Sequence, residues 1–240
     1  MTPTLSLQLE SRLDSLREQF AHDRRINISS VWSADTASKI LETLKQTEFD
    51  NALFYAGRPI RLLDADIRAM PPTEQKAMQQ SVMQNASQGI GFWYGSHYID
   101  IQTRMQTAPL LKQFHQFMNQ PSTLSLLGKL TGEQDIIYAS AQATRYIPGN
   151  FLTRHNDVVE AEGRRIAYVF GFTPQWHPDW GGILHFFHQD GELKDSWVPS
   201  FNNLALFDVH HPHSVSFIAP FARAPRFAIT GWLRTKATAS

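Results

Sequence analysis

The 240-residue chain contains no cysteine. That absence excludes disulfides, thiolate nucleophiles, and zinc or iron–sulfur centres held by thiolates. The chain also has no excess of either charge, with 22 Lys and Arg against 22 Asp and Glu. A zero balance gives no net field to draw in nucleic acid or an anionic membrane surface. No apolar run approaches the roughly 20 residues of a membrane-spanning helix. The start, Met1-Thr2-Pro3-Thr4-Leu5, lacks the basic and then apolar pattern of an export signal. The expectation is a cytoplasmic protein with no nucleic-acid partner and no membrane partner. Repeats, low-complexity tracts and linkers are missing too, so residues 1–240 read as a single domain. No feature of the sequence specifies an oligomeric state.

What is present is core-forming material, 42% apolar and 12% aromatic, and an uneven distribution of histidine. Seven of the ten histidines lie between His155 and His213, which places any histidine chemistry in the C-terminal half. Periodicity divides the chain the same way. Leu9, Leu13, Leu16 and Phe20 fall at helical spacing and predict a helix over 5–21. A short strand over 26–31 follows, then a helix to about residue 47 capped by Ser33 or Asp35. Residues 51–67 read as strand and loop. Pro71-Pro72 opens a further helix, and helices are predicted over 108–119 and from Pro121 to about residue 130. After Gly132 short β-rich runs take over, at 136–146, 152–158, 165–172, 182–187, 196–198, 204–207, 214–218 and 226–233. The fold class is mainly β with a helical N-terminal part (α+β). Residues 1–132 are expected to support a double-stranded β-helix (jelly-roll) core over 133–235, with helices packed on one sheet.

Within that core, His155 and Asp157 stand two residues apart. On a strand such residues share a face. With 10 His and 13 Asp in the chain, chance supplies roughly half an occurrence of His-x-Asp, so its context must carry the weight. One more distant histidine would complete two His and one carboxylate, the facial set used by non-haem Fe(II) oxygenases. His213 follows Pro212 and belongs at a strand start; His210 and His211 compete for the same role. His177, His185 and His188 read as structural. In the last run, alternation puts Arg226, Ala228, Thr230 and Trp232 on one face, opposite Phe227, Ile229 and Leu233. If the apolar face packs on helices, Arg226 points into the barrel. A guanidinium there needs an anion, either a ligand carboxylate gripped bidentately or an Asp or Glu brought close by folding.

Five ordered blocks then point to one family. They are Tyr146-Ile147-Pro148-Gly149-Asn150, Arg154-His155-Asn156-Asp157, Gly181-Gly182-Ile183-Leu184 preceded by Trp176, Pro212-His213-Ser214-Val215, and Arg226 through Trp232. Over about 138–234 the chain resembles the Fe(II)/2-oxoglutarate-dependent oxygenases, in the prolyl 4-hydroxylase branch with its bacterial members. The resemblance implies that His155, Asp157 and His213 bind Fe(II) and form the catalytic centre. It implies that Arg226 pairs with the distal carboxylate of the cosubstrate 2-oxoglutarate, with Thr230 and Tyr146 adding hydrogen bonds. O2 would be consumed, ascorbate is a further candidate cofactor, and a prolyl residue in a protein or peptide is the implied substrate. One departure stands out. Where many relatives carry a tyrosine that contacts the distal carboxylate, this chain has Gly171; Tyr168 is a candidate substitute of the wrong parity. A looser pocket, or a different second partner for Arg226, would follow. Phe92-Trp93-Tyr94, Trp176 and Trp180 either line a substrate groove or brace the sheet. Competing readings are an oxygenase acting on a small molecule or free amino acid, a non-catalytic metal-binding jelly roll, and a cupin-type metalloenzyme using His210 or His211.

Overall fold

Six α-helices and thirteen strands make up residues 5–101 and 105–237, the part described by the computed structural model. Residues 1–4, on which the reading of an absent export signal rests, lie outside it. In chain order the elements are α1 (Leu13–Asp23), β1 (Arg25–Ser29), α2 (Ala34–Gln46), β2 (Asp50–Tyr55), β3 (Arg58–Leu63), α3 (Asp64–Ala69), α4 (Pro72–Ser87), β4 (Phe92–Tyr98), α5 (Pro109–Met118) and α6 (Pro121–Thr131). There follow β5 (Tyr138–Ala139), β6 (Gln142–Tyr146), β7 (Phe151–His155), β8 (Arg164–Phe172), β9 (Leu184–Phe187), β10 (Leu193–Trp197), β11 (Phe201–Asp208), β12 (His213–Val215) and β13 (Arg226–Arg234).

The helices follow their local signals. The Ser33 side chain caps α2 by accepting from the Thr36 N–H at 3.2 Å. Proline opens α4, α5 and α6, where its missing N–H costs nothing. Gly132 ends α6 at φ 78°, a left-handed conformation that L-residues resist. The first helix departs from the spacing argument, since α1 begins only at Leu13. Before it, Leu5, Leu7 and Leu9 are buried in alternation, the period of extended chain. The Gln8 N–H donates to the Val31 carbonyl at 2.9 Å. Two periods therefore overlap in one leucine-rich stretch. Residues 136–146 likewise divide into β5 and β6.

All strands pair antiparallel, in the order β1-β11-β8-β13-β6-β4-β7-β12-β9-β10, with β2 and β3 beyond β4 and with β5 on β13. The sheet curls into a nearly closed barrel. At its open seam Arg25 of β1 reaches Asp195 of β10 at 3.0 Å, and Lys194 meets Asp23. Strands from residues 25–98 lie in the same sheet as those after 133. The β2–β3 hairpin turns through Ala56 and Gly57, both at positive φ, as a two-residue reversal that matches strand twist.

The wide half of the barrel, β11-β8-β13-β6, turns Phe170, Phe172, Leu204, Leu206, Phe227, Ile229 and Leu233 outward onto the helices. Trp32 and Phe114 seat against Phe170 at ring separations of 5.3 and 5.4 Å. Each such side chain contributes about 1.5–3 kcal/mol by burial. The opposite parity, including Gln142, Thr144, Tyr146, Arg226 and Thr230, faces the barrel interior. No helix of the described residues is long and apolar enough to cross a membrane.

Candidate active site

The interior holds a cavity of about 530 Å³. His155 ends β7 and His213 begins β12, and the two are direct partners across the antiparallel pair. Pro212 explains the position of His213, since proline is kept out of a central ladder and the strand starts just after it. Asp157 sits differently from the strand-face reading: β7 stops at His155, and Asp157 lies in the following loop. Its own N–H, donated to the Val209 carbonyl at 2.9 Å, fixes it there. The carboxylate still converges. Its Oδ1 is 3.6 Å from Nε2 of His155 and its Oδ2 is 3.4 Å from Nε2 of His213.

One donor atom from each residue lies within 4.8 Å of the others. Adjacent ligands of an octahedral first-row ion sit roughly 3 Å apart, so a modest contraction brings the set onto one ion. Orientation agrees with this. Nδ1 of His155 donates to the Thr153 carbonyl and Nδ1 of His213 to the His211 carbonyl, each at 2.9 Å. A proton held on Nδ1 leaves the Nε2 lone pair free for metal. Burial drives His213 down to about 4, which keeps it neutral. Burial opposes the charge on Asp157, but the two histidines outweigh it and hold the carboxyl down at about 2. Burial also opposes protonation of His155, and the Asp157 carboxylate reverses that and raises it. The donor set, two neutral-capable imidazoles and one carboxylate, suits a divalent iron.

Further along the interior lies Arg226. It is 7% exposed, its Nη1 is buried without a hydrogen-bond partner, and it forms no ion pair among the described residues. Its guanidinium lies 5.1 Å from the Tyr146 ring centroid, and burial pulls its pKa down. A buried cation without an anion is a strong cost. The folded-in Asp or Glu that the sequence left open is not supplied by the described residues. Thr230 and Tyr146 line the same cavity, and Tyr146 directly faces Arg226 across β6 and β13.

Several residues escaped sequence reasoning. Gln142 and Thr144 line the cavity beside Tyr146; the alternation in Gln142-Ala143-Thr144-Arg145-Tyr146 was the available signal. Tyr94 stacks on Tyr146 at 5.2 Å and 14°, which only strand pairing reveals. Phe92 and Tyr94 line the cavity while Trp93 turns away and donates to Asn51 at 3.0 Å. Arg164 lies 3.6 Å over the Trp232 ring and 4.0 Å from Asp157. Trp176 and Trp180 pack edge to face outside the cavity, with Trp176 donating to the Gly181 carbonyl at 2.9 Å. Trp176 braces the turn, and Trp180 borders a different cavity, with Leu41, Arg223 and Phe227. His210 pairs with Asp208, and His211 bonds the Asp23 carbonyl; neither joins the cluster. Tyr168 points to the helix side and donates to the Ser140 carbonyl, so it does not stand in for Gly171.

Comparison with known proteins bears on this geometry. Residues 141–234 match the profile of the 2OG-Fe(II) oxygenase superfamily, the stretch that contains the three ligands and Arg226. The match takes in 94 of the 240 residues. Among curated relatives, prolyl 3-hydroxylase OGFOD1 of Mus musculus is 36% identical over 85 residues, which is 32% of this chain and 15% of the relative. Its Xenopus laevis counterpart is 28% identical over 130 residues, 51% of this chain and 23% of the relative. The chain thus spans less than a quarter of the curated relatives' length. A Pseudomonas putida prolyl-4-hydroxylase structure superposes with a TM-score of 0.61 at 18% identity, covering 94% of this chain and all of that one. A Trichoplax adhaerens prolyl hydroxylase, solved with a hypoxia-inducible-factor peptide fragment, gives 0.63 at 17%, covering 95% and 91%. The shared fold is the double-stranded β-helix.

Proposed function

We propose that the protein is an Fe(II)- and 2-oxoglutarate-dependent dioxygenase that hydroxylates a prolyl residue of a protein or peptide, releasing succinate and CO2. The observation that carries the reading is the pairing, in one cavity, of a His-Asp-His donor set with a buried cation lacking an anion. A metal-binding module without a cosubstrate has no use for Arg226. A cupin-type site would draw on His210 or His211, and both are engaged elsewhere.

In this reading His155 and His213 present Nε2 to iron and Asp157 presents one oxygen. Bound iron, with 2-oxoglutarate and O2, supplies oxidative decarboxylation and delivery of one oxygen atom to a substrate C–H bond. The protein's own part is placement and exclusion of water. Arg226 grips the distal carboxylate, with Thr230 and the Tyr146 hydroxyl beside it; this fixes how far the 2-oxo end reaches toward the histidines. Burial raises the Tyr146 and Tyr94 hydroxyls above their usual range, the latter to about 12, so both remain hydrogen-bond donors. Val169, Leu184, Phe207 and Val215 make the walls apolar. At the mouth Phe54, Ile90, Phe92 and Leu152 offer flat and aliphatic surface suited to a pyrrolidine ring. The prolyl specificity draws support from the curated relatives, both prolyl 3-hydroxylases by name.

The reading is tested by incubating the Fe(II)-loaded protein with 2-oxoglutarate and a library of proline-containing peptides, with mass spectrometry of both products. Succinate formation matched by gain of one oxygen on proline supports it. Succinate without any modified peptide, but with an oxidised amino acid or metabolite, would move the substrate to a small molecule.

A further inference from the structure

Gly171 stands where the resemblance leads one to expect a tyrosine, yet there is no empty space above it. A Cβ built there would meet Asn203 Oδ1 at 2.1 Å and the Ser200 carbonyl oxygen at 2.6 Å. Asn203, Gly171 and Ala228 are direct partners across β11, β8 and β13, so their side-chain directions share the interior face. Arg226 stands two residues before Ala228 on that same face. Asn203 is aimed by a bulge. Asn202 drops out of the β11–β8 register with φ 57°. The Asn202 side chain is held by both backbone groups of Trp32, accepting from its N–H at 2.9 Å and donating to its carbonyl at 2.8 Å. The Asn203 amide nitrogen is then tied to Asn27 Oδ1 at 2.7 Å. Its oxygen is left buried with no partner.

Arg226 Nη1 is buried with no partner as well. Both residues border a second, small cavity of about 20 Å³, separate from the large one. Arg226, Val169 and Leu184 line both, so Arg226 forms part of the wall between them. One water needs about 10–15 Å³ and polar partners. The two residues that carry these atoms, a donor without an acceptor and an acceptor without a donor, both line this water-sized space.

We infer that Asn203 is the positioning residue that replaces the missing tyrosine: its carboxamide oxygen, through a single water in the small cavity, holds Arg226 aimed at the distal carboxylate of the cosubstrate. The water accepts from Arg226 and donates to Asn203, which satisfies both groups. The inference rests on the dioxygenase reading above and adds to it the source of dicarboxylate selectivity in this chain. It also accounts for Gly171, since the residue beneath the Asn203 carboxamide cannot carry a Cβ.

The test is calorimetric binding to the Fe(II)-loaded protein under anaerobic conditions. Two ligands are compared: 2-oxoglutarate, and 2-oxopentanoate, which has the same five-carbon chain with a methyl in place of the distal carboxylate. Asn203→Ala is expected to weaken 2-oxoglutarate binding roughly tenfold or more, the size of one hydrogen bond to a charged group. It should leave Fe(II) and 2-oxopentanoate binding unchanged. Asn203→Asp, of nearly the same shape, supplies Arg226 with a competing anion and should weaken 2-oxoglutarate binding further still. A role confined to packing would move both ligands together, or leave the Asp variant at wild-type affinity, and either result overturns the inference. Should wild type itself bind no 2-oxoglutarate, the dioxygenase reading falls and this inference with it. If wild type binds and both variants match it, the inference alone is lost.

Discussion

Replacing Arg226 by methionine should make the protein more stable and less able to bind its cosubstrate. Arg226 is 7% exposed, forms no ion pair among the described residues, and keeps one nitrogen unpaired. A buried, incompletely compensated charge is a net cost to the folded state, and exchange for an apolar side chain of similar volume commonly gains about 1–4 kcal/mol. Tyr146, 5.1 Å away, offsets part of that cost through its ring face, by about 1 kcal/mol. The expected net gain is therefore up to about 3 kcal/mol in the ligand-free protein. For a chain of this size each kcal/mol moves Tm by about 2–4 °C, giving a rise of up to about 12 °C. The same change removes a desolvated charge partner from the cosubstrate, worth about 2–5 kcal/mol, so 2-oxoglutarate affinity should fall by roughly 30-fold to several-thousand-fold. The assay is thermal unfolding of wild type and Arg226→Met, with and without 2-oxoglutarate, in the presence of Mn(II) to prevent turnover. Wild type should gain Tm with the ligand and the variant should not. A variant that melts well below ligand-free wild type would show that Arg226 holds the barrel together, and the reasoning would be refuted.

Other consequences can be checked alongside. Asp157→Asn keeps the shape of the third ligand but removes its charge, and should weaken Fe(II) binding by at least tenfold and abolish succinate formation; near-stoichiometric iron in the variant would remove Asp157 from the set. Burial disfavours the charge on Asp23, but Lys194 and Arg25 prevail and lower its pKa to about 2. A carboxyl depressed in the folded state adds stability above its unfolded value near 3.8, and that stability fades as pH falls toward 2. Asp23→Asn should therefore cost about 1 kcal/mol at neutral pH after solvent screening, with the gap to wild type closing between about pH 4 and pH 2 in denaturant titrations. Gly171→Ala forces a Cβ to within 2.1 Å of Asn203 Oδ1 and 2.6 Å of the Ser200 carbonyl; a loss of about 1–3 kcal/mol is expected, and an unchanged denaturation midpoint would show that Asn203 can simply swing away.

What was legible in the sequence follows from how locally each feature is specified. The run from Arg226 to Trp232 declared its two faces by alternation alone, and the faces lie as read: Phe227, Ile229 and Leu233 against helices, Arg226 and Thr230 inside. His213 was placed at a strand start by its proline neighbour, and it starts β12. Asp157 reached the histidines by another route than the one read, from a loop tied to Val209 rather than from the strand, because strand ends depend on which partner stops pairing. The pairing of β1 with β11, across some 180 residues of chain, carries no local signature. Nor does the stacking of Tyr94 on Tyr146, or the bulge at Asn202 that sends Asn203 over Gly171. The missing tyrosine was visible as an absence; what fills its place became visible only once three strands were set side by side.

The central claim is a ternary site: iron at His155, Asp157 and His213, with a dicarboxylate stretched to Arg226. Anaerobic titration of the Fe(II)-loaded protein with 2-oxoglutarate tests it most directly, through the weak visible band that appears when a 2-oxo acid chelates iron. The account predicts a band that saturates with one 2-oxoglutarate bound per iron, is absent in Asp157→Ala, and requires much higher 2-oxoglutarate in Arg226→Met. No band in wild type, or a band whose 2-oxoglutarate dependence ignores Arg226, would contradict it.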